Sequence, residues 1–180
     1  MKTLRHFFSY EALIMSRAQD QSLLHALLDS WERNNKILVN LLRILPEDVL
    51  EIRPKEGSPS IAELFTHIHY VRLVFVSEDA PEFAIKVPDQ EWRNERDRNR
   101  ITEMLNESAK VVADAVKGRL NSGQEMNCHY DHPILMLQQM IWHEGYHHGQ
   151  IKLALKLAGR PLSDDEAGLV TWDVWTDKST

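Results

Sequence analysis

The stretch HPILMLQQMIWHEGYHHGQIKLALKLAGRP, residues 132–161, gives the clearest indication of a helical fold, because apolar side chains and two histidines recur in it at helical spacing. Positions separated by three or four residues fall on one face of an α-helix. These positions are Met136, Met140, His143, His147, Ile151, Ala154 and Ala158. Pro133 suits a first helical turn, where its missing N–H is not needed, and Gly159 suits a helix end. We therefore predict a helix from about His132 to Ala158.

Three further segments show the same periodicity, and clusters of glycine and proline separate them. The predicted helices run from about Asp20 to Leu45, from Ser60 to about Ser77, and from about Asp97 to Leu120. The sequence SIAE forms a capping box, with Ser60 at the cap and Glu63 three residues on. No alternating apolar pattern is long enough to require a sheet. The sequence therefore predicts an all-α fold of four principal helices, with residues 78–96 as a long connection.

The length and composition suit one globular domain. A chain of 180 residues can bury a hydrophobic core and is short for two domains. Its 43% hydrophobic and 27% charged residues argue against disorder. We predict a single domain over residues 1–180, with its core at about 20–160 and a tail at 161–180. In the tail, Trp172 and Trp175 are expected to pack back on the helices or on a second subunit.

The charge pattern argues against binding to nucleic acid. The net charge is −6, and the densest basic stretch, residues 93–100, is interleaved with acidic side chains. The single cysteine, Cys128, excludes an intramolecular disulfide and a cysteine-based zinc site, and it suits a reducing compartment. No segment has the roughly 18 uncharged apolar residues of a membrane span, and the first residues lack a signal-peptide pattern. We expect a cytoplasmic protein.

Two histidines of the stretch 132–161 are candidate metal ligands. His143 and His147 are four residues apart, the spacing at which one helix offers two imidazoles to a single ion. Both interrupt an apolar stripe, where either hydrogen bonds or a shared divalent cation would satisfy them. His67 lies on the apolar stripe of the second predicted helix and adds a third imidazole. Because three protein ligands with open positions are typical of a reactive metal site, we predict that these three histidines bind a metal.

Two other histidines compete for these roles. His69 is the rival of His67, but it falls with Phe65 and Arg72, off the main apolar stripe. His148 is expected to face about 100° away from His147, at the rim of the pocket or on the surface.

Three residues are candidates for orienting a substrate or moving a proton: Glu144, Gln150 and Glu63. Glu63 would serve as a general base, a fourth ligand or the cap partner, and its position favours the cap. Glu144 completes an HExxH sequence, but it should point about 100° away from His143, which argues against a zinc protease. Gly145 and Gly149 each cost about 1 kcal/mol in a helix relative to alanine, which indicates close helix packing or a pocket that needs room.

Two segments resemble the DinB-like (YfiT-like) family of candidate metalloenzymes. SIAELFTHIHYV, residues 60–71, is similar to the family's second-helix pattern of a serine start with a histidine seven residues on. WHEGYHHGQIKLALKLAGRP, residues 142–161, is similar to its fourth-helix pattern of His, three residues, His, one residue, Gly-Gln and an apolar run. The resemblance covers roughly residues 20–160 and leaves out the C-terminal tail.

The resemblance implies an up-down-down-up four-helix bundle with a long crossover between helices two and three. It implies a divalent metal, commonly zinc or nickel, held by His67, His143 and His147, and frequent homodimers. Members with assigned activity include thiol-dependent S-transferases and a maleylpyruvate isomerase that use mycothiol, bacillithiol or glutathione. We therefore expect a metal-dependent transferase or hydrolase of a small molecule, with a low-molecular-weight thiol as possible cosubstrate. The alternative is a non-catalytic metal-binding bundle that acts in a stress response.

Overall fold

The structure is a computed structural model that describes the backbone of residues 3–178 and the side chains of residues 20–178. Its internal contacts divide the chain into two compact units, residues 1–30 and residues 31–180. In the first unit the described backbone is helical throughout. The second unit contains every residue predicted for the functional site. The single domain expected over residues 1–180 stays a prediction.

The described residues form six α-helices and two short 3-10 helices, and they contain no strand. The α-helices are α1 (Thr3–Ile44), α2 (Ile61–Asp79), α3 (Arg98–Ser122), α4 (Pro133–Leu157), α5 (Asp164–Val170) and α6 (Trp172–Thr176). The 3-10 helices are Glu47–Val49 and Pro81–Phe83. The all-α prediction is thereby confirmed. No helix among the described residues combines the length and the apolar character that a membrane crossing requires.

Two helical regions differ from the prediction. Helix α1 begins at Thr3 rather than at Asp20, since no glycine or proline precedes Pro46 to interrupt it. The tail is helical because Ser163 and Glu166 form a second capping box, in which each accepts a hydrogen bond from the other's backbone N–H. The acidic run SDDE is therefore a helix start.

Side-chain caps fix the start of α2. Ser60 Oγ accepts a hydrogen bond from the N–H of Glu63 at 3.3 Å, and Glu63 Oε2 accepts one from the N–H of Ser60 at 3.0 Å. This is the predicted capping box. Arg53 adds two hydrogen bonds to the Glu63 carboxylate, at 2.8 and 2.6 Å. The first turn of the helix that carries His67 is thus held by three side chains.

Four helices supply the hydrophobic core of the second unit. From α1 and the turn after it come Leu38, Leu41, Leu42 and Leu45; from α2 come Ile61, Leu64, Phe65 and Ile68; from α3 come Ile101 and Leu105; and from α4 come Ile151, Ala154 and Leu155. Burying one such side chain contributes roughly 1.5–3 kcal/mol. Helix α2 packs against both α3 and α4. It therefore carries buried side chains around much of its circumference, which matters for where its histidines point.

Candidate metal site

Helices α2 and α4 bring the three predicted histidines together. The ring centroid of His67 lies 5.6 Å from that of His143 and 4.9 Å from that of His147. The centroids of His143 and His147 are 4.4 Å apart, and their Nε2 atoms are 3.0 Å apart. One ligand atom from each residue lies within 4.8 Å of the other two. Within residues 20–178, this is the one group of His, Cys, Asp or Glu side chains arranged to share a metal ion.

The cluster lies at the edge of the core rather than inside it. His147 is buried, whereas His67 and His143 are half-buried. The expectation that all three point into the core is therefore only partly right. His69, expected off the main stripe, is the more deeply buried histidine of α2 at 1% exposure, and its Nδ1 donates to the Met104 carbonyl at 2.6 Å. Because α2 is packed on two sides, its apolar stripe did not identify its inner face.

Hydrogen-bond acceptors next to Nδ1 orient two of the three rings. Nδ1 of His67 lies 3.0 Å from Glu91 Oε1, and Nδ1 of His147 lies 2.7 Å from Gln150 Oε1. Gln150 donates from its amide nitrogen to the Tyr146 hydroxyl at 3.0 Å, so its oxygen faces the imidazole. Both Nδ1 atoms therefore carry the proton, which leaves both Nε2 atoms as acceptors, and that of His147 faces Nε2 of His143 at 3.0 Å. Contacts of this kind fix the tautomer and orientation of metal-binding histidines.

Burial keeps the imidazoles of α4 neutral. Burial and, to a smaller extent, the neighbouring His147 and His67 together lower the pKa of His143 from its usual 6.5 to about 4. Burial also lowers the pKa of His147, although the hydrogen bond with Gln150 opposes the change. The neutral imidazole is the form that binds a metal ion. Both residues are therefore competent ligands at neutral pH.

A polar cavity of about 580 Å³ adjoins the cluster and is lined by His67, His147, Glu91 and Gln150. Arg53, Glu63 and Arg93 line it as well, and the Arg93 side chain is exposed. The hydrogen-bonded Arg53 holds the pKa of the Glu63 carboxyl below its usual value. Since Glu63 also completes the capping box, its carboxylate is engaged by the helix start and by Arg53.

Farther along α2, a buried ion pair joins this helix to α4. The Arg72 and Glu144 side chains are both 0% exposed. Nε and Nη2 of Arg72 donate to the two carboxylate oxygens of Glu144 at 2.7 and 2.8 Å. Asn34 donates to Glu144 Oε2 at 2.5 Å, and Nη1 of Arg72 donates to Asn35 Oδ1 at 2.9 Å and to the Leu105 carbonyl at 2.7 Å. Burying two charges is tolerated because each is paired and hydrogen-bonded.

This pair determines how α4 is placed against α2. Glu144 follows His143 directly, and Arg72 lies on the same helix as His67. The two-pronged contact therefore fixes the register that brings the histidines together. The guanidinium also lies 4.8 Å from the centroid of the Trp31 ring, whose Nε1 donates to the Ala109 carbonyl at 2.8 Å.

The residues present fit a divalent ion. Ligands of a tetrahedral zinc site with Zn–N distances of about 2.0–2.1 Å are roughly 3.3 Å apart. The 3.0 Å between the Nε2 atoms of His143 and His147 is close to that separation. Glu91 and Gln150 supply the outer hydrogen bonds that ligating imidazoles require. Gln150 is one of the residues predicted from the sequence, whereas Glu91 is not. Glu91 lies far from His67 along the chain, so no local pattern indicates their contact.

These features define an all-helical protein in which two helices hold three histidines in an arrangement suited to a metal ion. Residues 15–173 match the DinB family, and the chain belongs to that family. A search of curated proteins found no match, and a search of solved structures found none either. The family match confirms the resemblance seen in residues 60–71 and 142–161.

Proposed function

We propose that this protein is an enzyme that acts on a small molecule and depends on a divalent metal. Its metal ligands are His67, His143 and His147, and the metal is zinc or nickel. The observation that supports this most is the convergence of three imidazoles from α2 and α4 beside a polar cavity. Three protein ligands leave coordination positions for water or substrate. The same helices are proposed to belong to an up-down-down-up four-helix bundle with a long crossover.

The protein's own groups would hold the site in place. A divalent ion bound there supplies Lewis acidity and lowers the pKa of a bound thiol or water. Glu91 and Gln150 keep the proton of His67 and His147 on Nδ1, so that Nε2 faces the ion. Of the three candidate catalytic residues, Gln150 both lines the cavity and contacts a ligand ring. Its oxygen and one amide hydrogen are engaged by His147 and Tyr146, and we assign its second amide hydrogen the role of orienting the substrate. Glu63 is occupied by the cap and Arg53, and Glu144 by Arg72.

The chemistry we propose is thiol-dependent S-transfer or hydrolysis. Arg93 lines the cavity beside the histidines with an exposed side chain, whereas Arg53, which also lines it, is already paired with Glu63. Guanidinium groups bind carboxylates well, and common low-molecular-weight thiols carry carboxylates. A thiol anchored in this way would place its sulfur toward the metal, where the thiolate is the reactive form.

Metal analysis joined to an activity assay tests this proposal. Gently purified protein, reconstituted with zinc or nickel, should hold one equivalent of metal and turn over an electrophile in the presence of a thiol. His143→Ala should abolish both properties, whereas His25→Ala, at an exposed position of α1, should change neither. Failure to bind stoichiometric metal after reconstitution would refute the proposal.

We further propose that two copies associate through the outward face of α4. That face exposes Leu135, Trp142, Tyr146 and Leu153, which recur at helical spacing. Sedimentation should show a dimer that Trp142→Glu dissociates.

The same exposed face favours the second candidate function, a non-catalytic metal-binding protein of a stress response. In that case His143→Ala would alter metal binding while no thiol-dependent turnover is found in the wild type.

A further inference from the structure

A second cavity, of about 290 Å³, lies on the other flank of α4 from the histidine cluster. Side chains of α1, of α4 and of the tail around α6 line it. The tail wall is held in place by Arg33 on α1, which donates to the carbonyls of Val174 and Asp177 at 2.6 and 2.9 Å. The cavity is therefore bounded by anchored elements on all three sides.

One polar atom at this cavity has no partner. Nε2 of His148, a cavity-lining residue, is shielded from solvent and makes no hydrogen bond to any residue in the described part of the chain. Buried polar atoms in folded proteins are nearly always hydrogen-bonded, because an unpaired one costs free energy. An imidazole can donate one hydrogen bond from this nitrogen. Lys152, a cationic residue, lines the same cavity.

The remaining walls are largely apolar. Ile37 and Leu38 are buried on the α1 side, and Trp172 and Trp175, whose side chains are exposed to solvent, line the tail side. At Gly145 a Cβ atom would meet nothing within 4 Å, so this glycine leaves room in the cavity. Glu144 also borders the cavity, but its carboxylate is already paired with Arg72. A cation and an imidazole donor beside apolar walls suit an anion with an apolar body.

We propose that this cavity is a second small-molecule site, which binds an apolar carboxylate such as an arylalkanoate. The carboxylate accepts hydrogen bonds from Lys152 and from Nε2 of His148, and the hydrocarbon part packs against Trp172 and Trp175. The site does not use the three histidines of the metal cluster and does not depend on their proposed function.

Isothermal titration calorimetry with 4-phenylbutyrate tests the proposal. The neutral 4-phenylbutanamide is the matched control ligand. The full-length protein should bind one equivalent of the carboxylate about tenfold more tightly than the amide, since the charged group makes the stronger hydrogen bonds. Lys152→Met should abolish this preference. His67→Ala should leave carboxylate binding unchanged, because the metal cluster lies on the other flank of α4.

Two glycine variants of α4 locate the site. Gly145→Ala places a methyl group in the cavity and should weaken binding about tenfold. It should also raise the unfolding temperature, because alanine stabilises a helix relative to glycine. Gly149→Ala makes the same change on α4 where a Cβ also meets nothing within 4 Å, but outside this cavity. It should raise the unfolding temperature without changing affinity.

Five results would overturn the proposal. Four of them are no saturable binding, equal affinity for the amide and the carboxylate, equal effects of the two glycine variants on affinity, and loss of binding in His67→Ala. The fifth is binding that weakens as protein concentration rises, which would show that a second copy fills the cavity.

Discussion

Helices α2 and α4 carry two polar clusters that differ in one respect. In the Arg72–Glu144 cluster the charged groups are unexposed and paired on both sides. In the histidine cluster the rings are partly exposed, and the two Nε2 atoms of α4 face each other beside a cavity. Both clusters use the same two helices, so the scaffold does not explain the difference. A satisfied polar cluster fixes the structure, whereas one with free lone pairs can bind a ligand.

The largest effect is expected from breaking the satisfied cluster. Glu144→Gln leaves the Arg72 charge buried without its counter-ion, and we expect a loss of about 3–5 kcal/mol in the free energy of unfolding. Urea denaturation measures it. Asp114→Asn, which breaks the exposed Lys110–Asp114 pair, should cost less than about 1 kcal/mol. The double variant Arg72→Met/Glu144→Leu should lose less than Glu144→Gln. Equal costs for Glu144→Gln and Asp114→Asn would show that the buried pair does not hold the helices.

Removing a member of the other cluster should affect metal affinity and not stability. His147→Ala removes a ligand and should weaken zinc binding by more than about a hundredfold. This is more than the loss expected when only a hydrogen-bond partner of a ligand is removed. The free energy of unfolding of the metal-free protein should change by no more than about 1 kcal/mol. Competition with a chelator and urea denaturation provide the two readouts. If stability fell and zinc affinity did not, the cluster would be structural.

The outer contacts of the histidines should have an intermediate effect. Glu91→Ala removes the acceptor of the His67 Nδ1 proton and should weaken zinc binding by about 10–100-fold. Asp89→Ala, at an exposed position of the same connection, should leave zinc affinity unchanged. Chelator competition on both variants measures the difference. Identical affinities would remove Glu91 from the site.

The last effect concerns acid stability and depends on the core histidine His69. Burial lowers the pKa of His69 to about 4, so the unfolded chain takes up a proton before the folded chain does as the pH falls below 6.5. The contribution of this group to stability should therefore be constant above that pH and fall between 6.5 and about 4, by at most about 1.4 kcal/mol per pH unit. His69→Gln, which can still donate to the Met104 carbonyl, should make the fall shallower in metal-free protein. An unchanged slope would contradict the assignment.

The helices and their caps were predictable because their signals are local. The capping-box pattern of Ser60 and Glu63 predicts the start of α2, and the Gly159–Pro161 segment follows the end of α4. The tail helices carried a signal of the same kind in Ser163 and Glu166. The outward position of Trp172, at 68% exposure, was not predicted, because buried smaller residues such as Val170 and Val174 anchor the tail instead.

The candidate site was predictable only where helical spacing and the family resemblance applied. Spacing placed His143 beside His147, the apolar stripe of the second predicted helix pointed to His67, and the resemblance picked the same three residues. The positions of His67 and His69 relative to the core could not be read from a stripe, because α2 is buried on two sides. The contacts of Arg72 with Glu144 and of Glu91 with His67 join residues far apart in the chain. No local pattern marks such pairs.

The side-chain contacts that hold α2 at two points also affect how fast its backbone amides exchange with deuterated solvent. Ser60, Glu63 and Arg53 hold the first turn, and the Arg72–Glu144 pair holds a later one. The segment between them cannot fray from its end or open locally without breaking a charged contact. Its amides, including that of His67, should exchange only when the whole unit unfolds, whereas the short helices of the tail should exchange by local opening. His67 therefore lies on backbone expected to be among the slowest-exchanging in the chain.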